Sequence, residues 1–146
     1  MVTNGMNVKA IGDYAFTGCG SLTQVDFGND LISIGADAFN SSGITEDIVI
    51  TPNIQTIGEG AFRNIKAKIY NLTDIEIDAD NIVKTTSEGS CGESTSYKIA
   101  GEYMAIRGSG VTEDYSENGQ QYNEHINDIK SIYIQEGVTG LGSRVF

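Results

Sequence analysis

Tryptophan is absent from these 146 residues, and three other residue types are nearly so: there is one proline, Pro52, one histidine, His125, and two cysteines, Cys19 and Cys91. Two cysteines are too few for a disulfide framework or a structural zinc site, so both read as free thiols. Basic residues are also scarce, nine against 20 acidic, for a net charge of −11. Nucleic acid and anionic lipid need Lys and Arg to neutralise phosphate, so this balance speaks against either partner. No apolar run approaches the ~20 residues of a membrane-spanning helix, which excludes insertion by such a segment. No charged-then-apolar export leader opens the chain. Hydrophobic residues make up only 39 %, while glycine reaches 18 residues. Together these suit a thin, turn-rich structure with a narrow core.

What is present is a nine-residue phrase written four times: VKAIGDYAF (Val8 to Phe16), LISIGADAF (Leu31 to Phe39), IQTIGEGAF (Ile54 to Phe62) and VTGLGSRVF (Val138 to Phe146). The first three copies start 23 residues apart. A fixed period of that size marks a solenoid, in which each unit buries its apolar face only against its neighbours. Upstream of the phrase lies an alternating segment: Leu22, Val25 and Phe27 before Ile34, and Ile129, Ile132 and Ile134 before Leu141. Ile48 and Ile50 precede Ile57 in the same way, with Ile44 one residue out of register. Alternation places such side chains on one face of a strand. The unit is therefore a short strand and a turn, followed by a reversal at the phrase, with strands stacking into a parallel sheet.

The phrase residues Ile11, Ile34, Ile57 and Leu141, with Phe16, Phe39, Phe62 and Phe146, are expected in the core, the rings of the first three copies forming an aromatic spine. Ala15, Ala38 and Ala61 are small because the adjacent Phe fills the space, and Val145 alters that packing in the fourth copy. Gly12, Gly35, Gly58 and Gly142 are expected where the chain needs positive φ or a close backbone approach.

These residues, with Cys19 and Leu22 in AFTGCGSLTQV, resemble the BspA-like leucine-rich repeat family, whose units run close to 23 residues around an IG-x-x-AF-x-x-C-x-x-L core. The second unit departs from it with Ser42 at the Cys position and the third with Ile65. The stretch CGESTSYKIAGEYMAIRGSGVTEDY (Cys91 to Tyr115) is similar to a segment that proteins of this group often carry, although the usual Trp positions are missing. The resemblance implies a right-handed leucine-rich-repeat superhelix, with a strand and a short turn or helical segment per unit. It also implies an extracellular place on a bacterial cell surface and a role in adhesion or interaction.

Three regions follow. Residues 1–83 read as repeat units, degenerate after 62. Residues 84–128 are irregular: a polar loop over 84–96, a hairpin of Tyr97 to Ile99 and Tyr103 to Arg107 about Ala100-Gly101-Glu102, and a long surface loop over 108–128. Residues 129–146 resume the repeat and stop on Phe146. The chain thus reads as a piece of a longer protein, and its uncapped repeats are expected to self-associate head to tail.

Candidate sites are sparse. Asp74, Glu76, Asp78 and Asp80 alternate with Ile75, Ile77 and Ala79, a line of carboxylates that could hold Ca²⁺ but lacks the loop of a calcium motif and reads better as a solvated face. Cys91 and His125 could in principle be nucleophile and base, but nothing places them together, and no catalytic residue or cofactor is expected. Gly108-Ser109-Gly110 reads as a turn rather than a phosphate cradle, since no Lys-Ser/Thr follows. Asn40-Ser41-Ser42 and Asn71-Leu72-Thr73 fit the glycosylation pattern, which arises often by chance. Exposed tyrosine favours recognition of proteins and sugars, so Tyr133, Tyr115 and Tyr122 are the binding candidates, with Tyr133 pointing out of the sheet. The reading is a non-enzymatic adhesion or protein-binding module for a host matrix protein, a surface protein or a glycan. It would bind through the sheet face and the middle loop. The alternatives are a structural spacer, or a carbohydrate- or calcium-binding module in the middle segment.

Overall fold

The computed structural model describes residues 2–3, 7–116 and 119–146. They form two units, Met1–Val83 and Lys84–Phe146, each with its own apolar core.

The first unit contains β1 (Val2–Thr3), β2 (Ala10–Ile11), β3 (Val25–Asp26), β4 (Ser33–Ile34), β5 (Ile48–Ile50), β6 (Thr56–Ile57), β7 (Ile69–Asn71) and β8 (Ile82–Val83). Its strand pairs are parallel. The Ile of three successive phrases stack in register, Ile11 on Ile34 on Ile57. The alternating segments form further ladders, with Val2 beside Val25 and Ile48 beside Ile69 beside Ile82. The sequence period has become a stacking period.

The same backbone bonds recur at each step. Tyr14 N–H donates to the Ala36 carbonyl at 2.9 Å and Phe16 N–H to that of Ala38 at 2.7 Å; one repeat later Asp37 donates to Glu59 and Phe39 to Ala61. In the other direction Gly35 N–H reaches the Ile11 carbonyl and Gly58 N–H that of Ile34, both at 2.8 Å. Each repeat thus satisfies polar backbone groups of the one beside it. Between the ladders the rings stack: Phe16 on Phe39 at 5.2 Å, Phe39 on Phe62 at 5.6 Å, with Phe27 tilted against both Phe39 and Phe62. Phe39, Ala38, Ile44, Ile48 and Ile50 have no measurable exposure.

The motif glycines are there for close approach. A Cβ on Gly35 would lie 2.4 Å from the Asp13 nitrogen, and one on Gly58 2.3 Å from that of Ala36. Neither has positive φ. The left-handed conformation falls instead two residues later, at Tyr14, Asp37, Gly60 and Arg144, and again at Gly18, Ser41 and Asn64. Residues 74–80 carry no strand, but their alternation persists, with Ile77 buried and the four acids exposed.

The second unit contains β9 (Thr85–Ser90), β10 (Thr95–Ala100), β11 (Tyr103–Gly108), β12 (Gly110–Val111), a 3₁₀ turn (Asn123–Asp128), β13 (Ser131–Ile134) and β14 (Val138–Gly140). The hairpin forms between β10 and β11, antiparallel, with Ala100 opposite Tyr103 and Gly101 at φ 56° in the turn. Residues 85–90, expected in a loop, are instead a third antiparallel strand on β10. Their Ser, Thr and Gly content hides a strand that needs no apolar face, because it sits at a sheet edge and alternates half-buried with exposed. The expected surface loop over 108–128 is also structured in part: Thr112, Gln120 and Tyr122 are buried in it, and residues 117–118 lie outside the described residues.

β13 lies parallel to β11, and β14 parallel to β12. Tyr103 pairs with Ser131, and Tyr115 N–H donates to the Ser143 carbonyl at 2.9 Å. Both steps span 28 residues, so β11 to Tyr115 forms a repeat beneath the last one. Its identity shows in one bond. In the first unit the Asp13 carboxylate accepts from Ala36 N–H; here the Asp114 carboxylate accepts from Ser143 N–H. Both acids precede a tyrosine, Tyr14 and Tyr115.

Candidate binding surface

Alternation along β10 and β11 sorts the four-stranded sheet, ordered β13-β11-β10-β9, into two faces. Tyr97, Ile99, Met104 and Ile106 face the core with Cys91 and Tyr122. Tyr103 and Ala105 face the other way. Register places Ser131 beside Tyr103 and Tyr133 beside Ala105, so Tyr133 lies on the face away from the core, half-buried. Its ring lies 6.5 Å from that of Tyr103. Tyr103 was missed as a candidate, although the expected hairpin already put it on a strand where alternation separates it from Met104.

Ile132 and Ile134, on the core-side face, are nevertheless 39 % and 45 % exposed. They pair with Met104 and Ile106, which are wholly buried. Facing the core side thus does not bury them, because β13 is an edge strand.

Tyr122 is a core residue, 1 % exposed, with its hydroxyl donating to the Val145 carbonyl. It offers no surface to a partner, and burial pushes its phenol well above the ordinary range. Aromatic contacts hold it between Tyr97, at 4.7 Å, and Tyr115, at 6.4 Å. Tyr115 is half-buried, and its phenol too is raised, chiefly by burial. The cysteines are free, Cys19 exposed and Cys91 buried. Burial pushes the Cys91 thiol up, with the charge of Glu113 adding to the shift. That is the wrong direction for a nucleophile, which works as thiolate. His125 faces Glu124 at 3.3 Å on the 3₁₀ turn.

Of the four alternating acids, Asp78 is engaged by the Arg63 guanidinium at 2.5 Å, with Glu59 at 3.6 Å from the same nitrogen. Among the described residues no three His, Cys, Asp or Glu side chains converge as a metal-ligand shell. The two glycosylation-pattern asparagines are tied into the fold: Asn40 donates to the Asp37 carboxylate and Asn71 to the Ile75 carbonyl. No helix among the described residues is long and apolar enough to cross a membrane.

No curated protein matches the chain. No solved structure matches it either. The family model of the BspA type leucine-rich repeat region does match, in six copies over residues 2–104. Such repeats are generally non-enzymatic interaction modules and are typically found in surface-associated bacterial proteins. Both the matched length and the 23-residue parallel register in the first unit agree: the chain belongs to the BspA type leucine-rich repeat family.

Proposed function

We propose that the chain is a right-handed solenoid binding module of a bacterial surface protein, that it works without catalysis, and that its ligand is a host matrix protein, surface protein or glycan. The observation that carries this reading is the Tyr133–Tyr103 pair on the outer face of the second unit's sheet. Tyrosine supplies a large apolar contact and a polar tip at little entropic cost, which suits recognition of proteins and sugars. The acidic surface, with net charge −11, favours neutral or cationic partners. Tyr115 adds a partly exposed ring from the middle segment, whereas Tyr122 does not contribute.

The test is a binding screen of the chain against matrix proteins and a glycan array, with Tyr133→Ala and Tyr103→Ala alongside. Saturable binding that falls at least tenfold in both variants supports the sheet face. Binding that both variants retain moves the site elsewhere on the chain. Absence of any ligand favours the spacer reading.

A further inference from the structure

The first repeat and the last leave matching faces uncovered. At the first, β1 and β2 are the edge strands of their sheets, and an apolar cavity of about 300 Å³ opens between Val2, Val8, Ile11, Phe16, Phe27 and Leu31. A Cβ on Gly12 would meet nothing within 4 Å, where Gly35 and Gly58 are pressed against the preceding repeat. At the last repeat, β13 is an edge strand and β14 is paired only with β12. Ile132, Ile134, Leu141 and Phe146 are 39 to 45 % exposed.

These faces have complementary polarity. Within the chain, a repeat offers one side to the repeat before it and the other to the repeat after it. The first phrase has its "before" side open, and the last phrase has its "after" side open. The register is also shared: the sequence offset that aligns Leu141 with Ile11 also aligns Ile132 with Val2 and Phe146 with Phe16. Both strands of the two repeats can therefore pair at once.

We propose that the last repeat of one copy seats on the first repeat of a second copy, as another step of the same stack. The bonds are those each internal step makes. Gly12 N–H donates to the Leu141 carbonyl of the other copy, as Gly35 does to Ile11. Arg144 and Phe146 N–H groups donate to Asp13 and Ala15 carbonyls, as Tyr14 and Phe16 donate to Ala36 and Ala38. The Ser143 hydroxyl accepts from Asp13 N–H, in the place where the Asp13 carboxylate accepts from Ala36. Phe146 continues the ring stack beyond Phe16, and Ile132 and Ile134 cover the cavity beside Val2. Arg144 brings a positive charge to a face holding Asp13, Asp26 and Asp30. The surfaces are unlike, so the contact is heterologous and is not closed by a two-fold axis. It is independent of the ligand-binding reading above.

The experiment is sedimentation equilibrium from 5 µM to 1 mM under reducing conditions, which prevent linkage through the exposed Cys19. The unaltered chain is expected to rise above its monomer mass of 15.6 kDa with concentration. Gly12→Val has open space in the monomer, so it keeps the circular dichroism of the parent. It should nevertheless stay monomeric, because its side chain occupies the place where the other copy's backbone must come. Phe146→Asp blocks the opposite face and should also stay monomeric. Mixed together, these two variants retain one good face each and should form a 1:1 dimer and nothing larger. A monomeric parent at 1 mM overturns the proposal. So does a Gly12→Val variant that associates like the parent, or a mixture that remains monomeric while the parent assembles.

Discussion

Gly12 and Gly35 occupy the same place in the phrase and differ in one respect, the presence of a repeat behind them. Replacing each with alanine isolates that difference. On Gly35 the new Cβ lies 2.4 Å from the Asp13 nitrogen and 2.6 Å from the Gly12 carbonyl carbon. Ordinary contact begins near 3.4 Å, so the two repeats must part by roughly 1 Å. Two 2.8 Å bonds cross this gap, Gly35 N–H to the Ile11 carbonyl and Ala36 N–H to the Asp13 carboxylate. Stretching both costs about 1 kcal/mol each, and the strain of overpacking adds ~1 to 3 kcal/mol. Against this, alanine restricts the unfolded chain and returns about 0.4 to 1 kcal/mol. The net expectation for Gly35→Ala is a loss of roughly 2 to 3 kcal/mol. At Gly12 only the favourable part remains, so Gly12→Ala should be neutral or stabilising by up to about 1 kcal/mol. Urea unfolding followed by far-ultraviolet circular dichroism, at a few micromolar protein, measures both. With a slope of ~1 to 3 kcal/mol per molar urea, the midpoints should separate by about 1 M or more. Equal midpoint shifts in the two variants would refute close approach as the reason for the motif glycine.

Other outcomes follow from burial. Phe39, wholly buried between Phe16 and Phe62, should cost roughly 3 to 5 kcal/mol when truncated to alanine. Phe146, 45 % exposed, should cost well under half of that, and both are read from urea midpoints. Stability should fall at alkaline pH. Cys91, Tyr115 and Tyr122 all have folded-state values raised above their ordinary 9.0 and 10.0. The folded protein therefore holds their protons longer than the unfolded chain does. Stability is full below pH 9 and declines as pH rises through 9 and 10; a urea midpoint unchanged between pH 7 and pH 11 would contradict this. An aromatic-disulfide thiol reagent should modify one cysteine, Cys19, in the native protein and the second, Cys91, only after unfolding; two fast equivalents in the native state would mean that Cys91 is accessible.

Much of the first unit was legible because its repeat is nearly undisguised. The 23-residue spacing, the Ile of the phrase and the Phe spine all follow from the rule that a repeat buries its face only against its neighbours. The left-handed positions were harder to see. They carry Tyr14, Asp37, Gly60 and Arg144 in turn, and only the Asp and Gly among these signal that conformation. The second unit hid more. Thr85–Ser90 looks like a linker, yet edge pairing needs only backbone groups. The repeat ending at Asp114-Tyr115 keeps neither the Ile-Gly nor the Phe of the phrase, and it shows itself only through its bonds to Ser143.

By itself the sequence determined the family, the period, the parallel stacking of the first repeats and the poverty of basic residues, because these are written in residue type and spacing. Tertiary structure decided which tyrosines are surface and which are core. Tyr122 and Tyr133 are alike as polar-segment aromatics, but Tyr122 inserts between Tyr97 and Tyr115 and bonds to Val145, whereas Tyr133 lies beside Ala105 on the outer face. It also decided that Gly12, alone among the three glycines of the first unit's phrases, faces open space. Burial and close approach belong to pairs of segments, and which segments meet is known only once the chain has stacked.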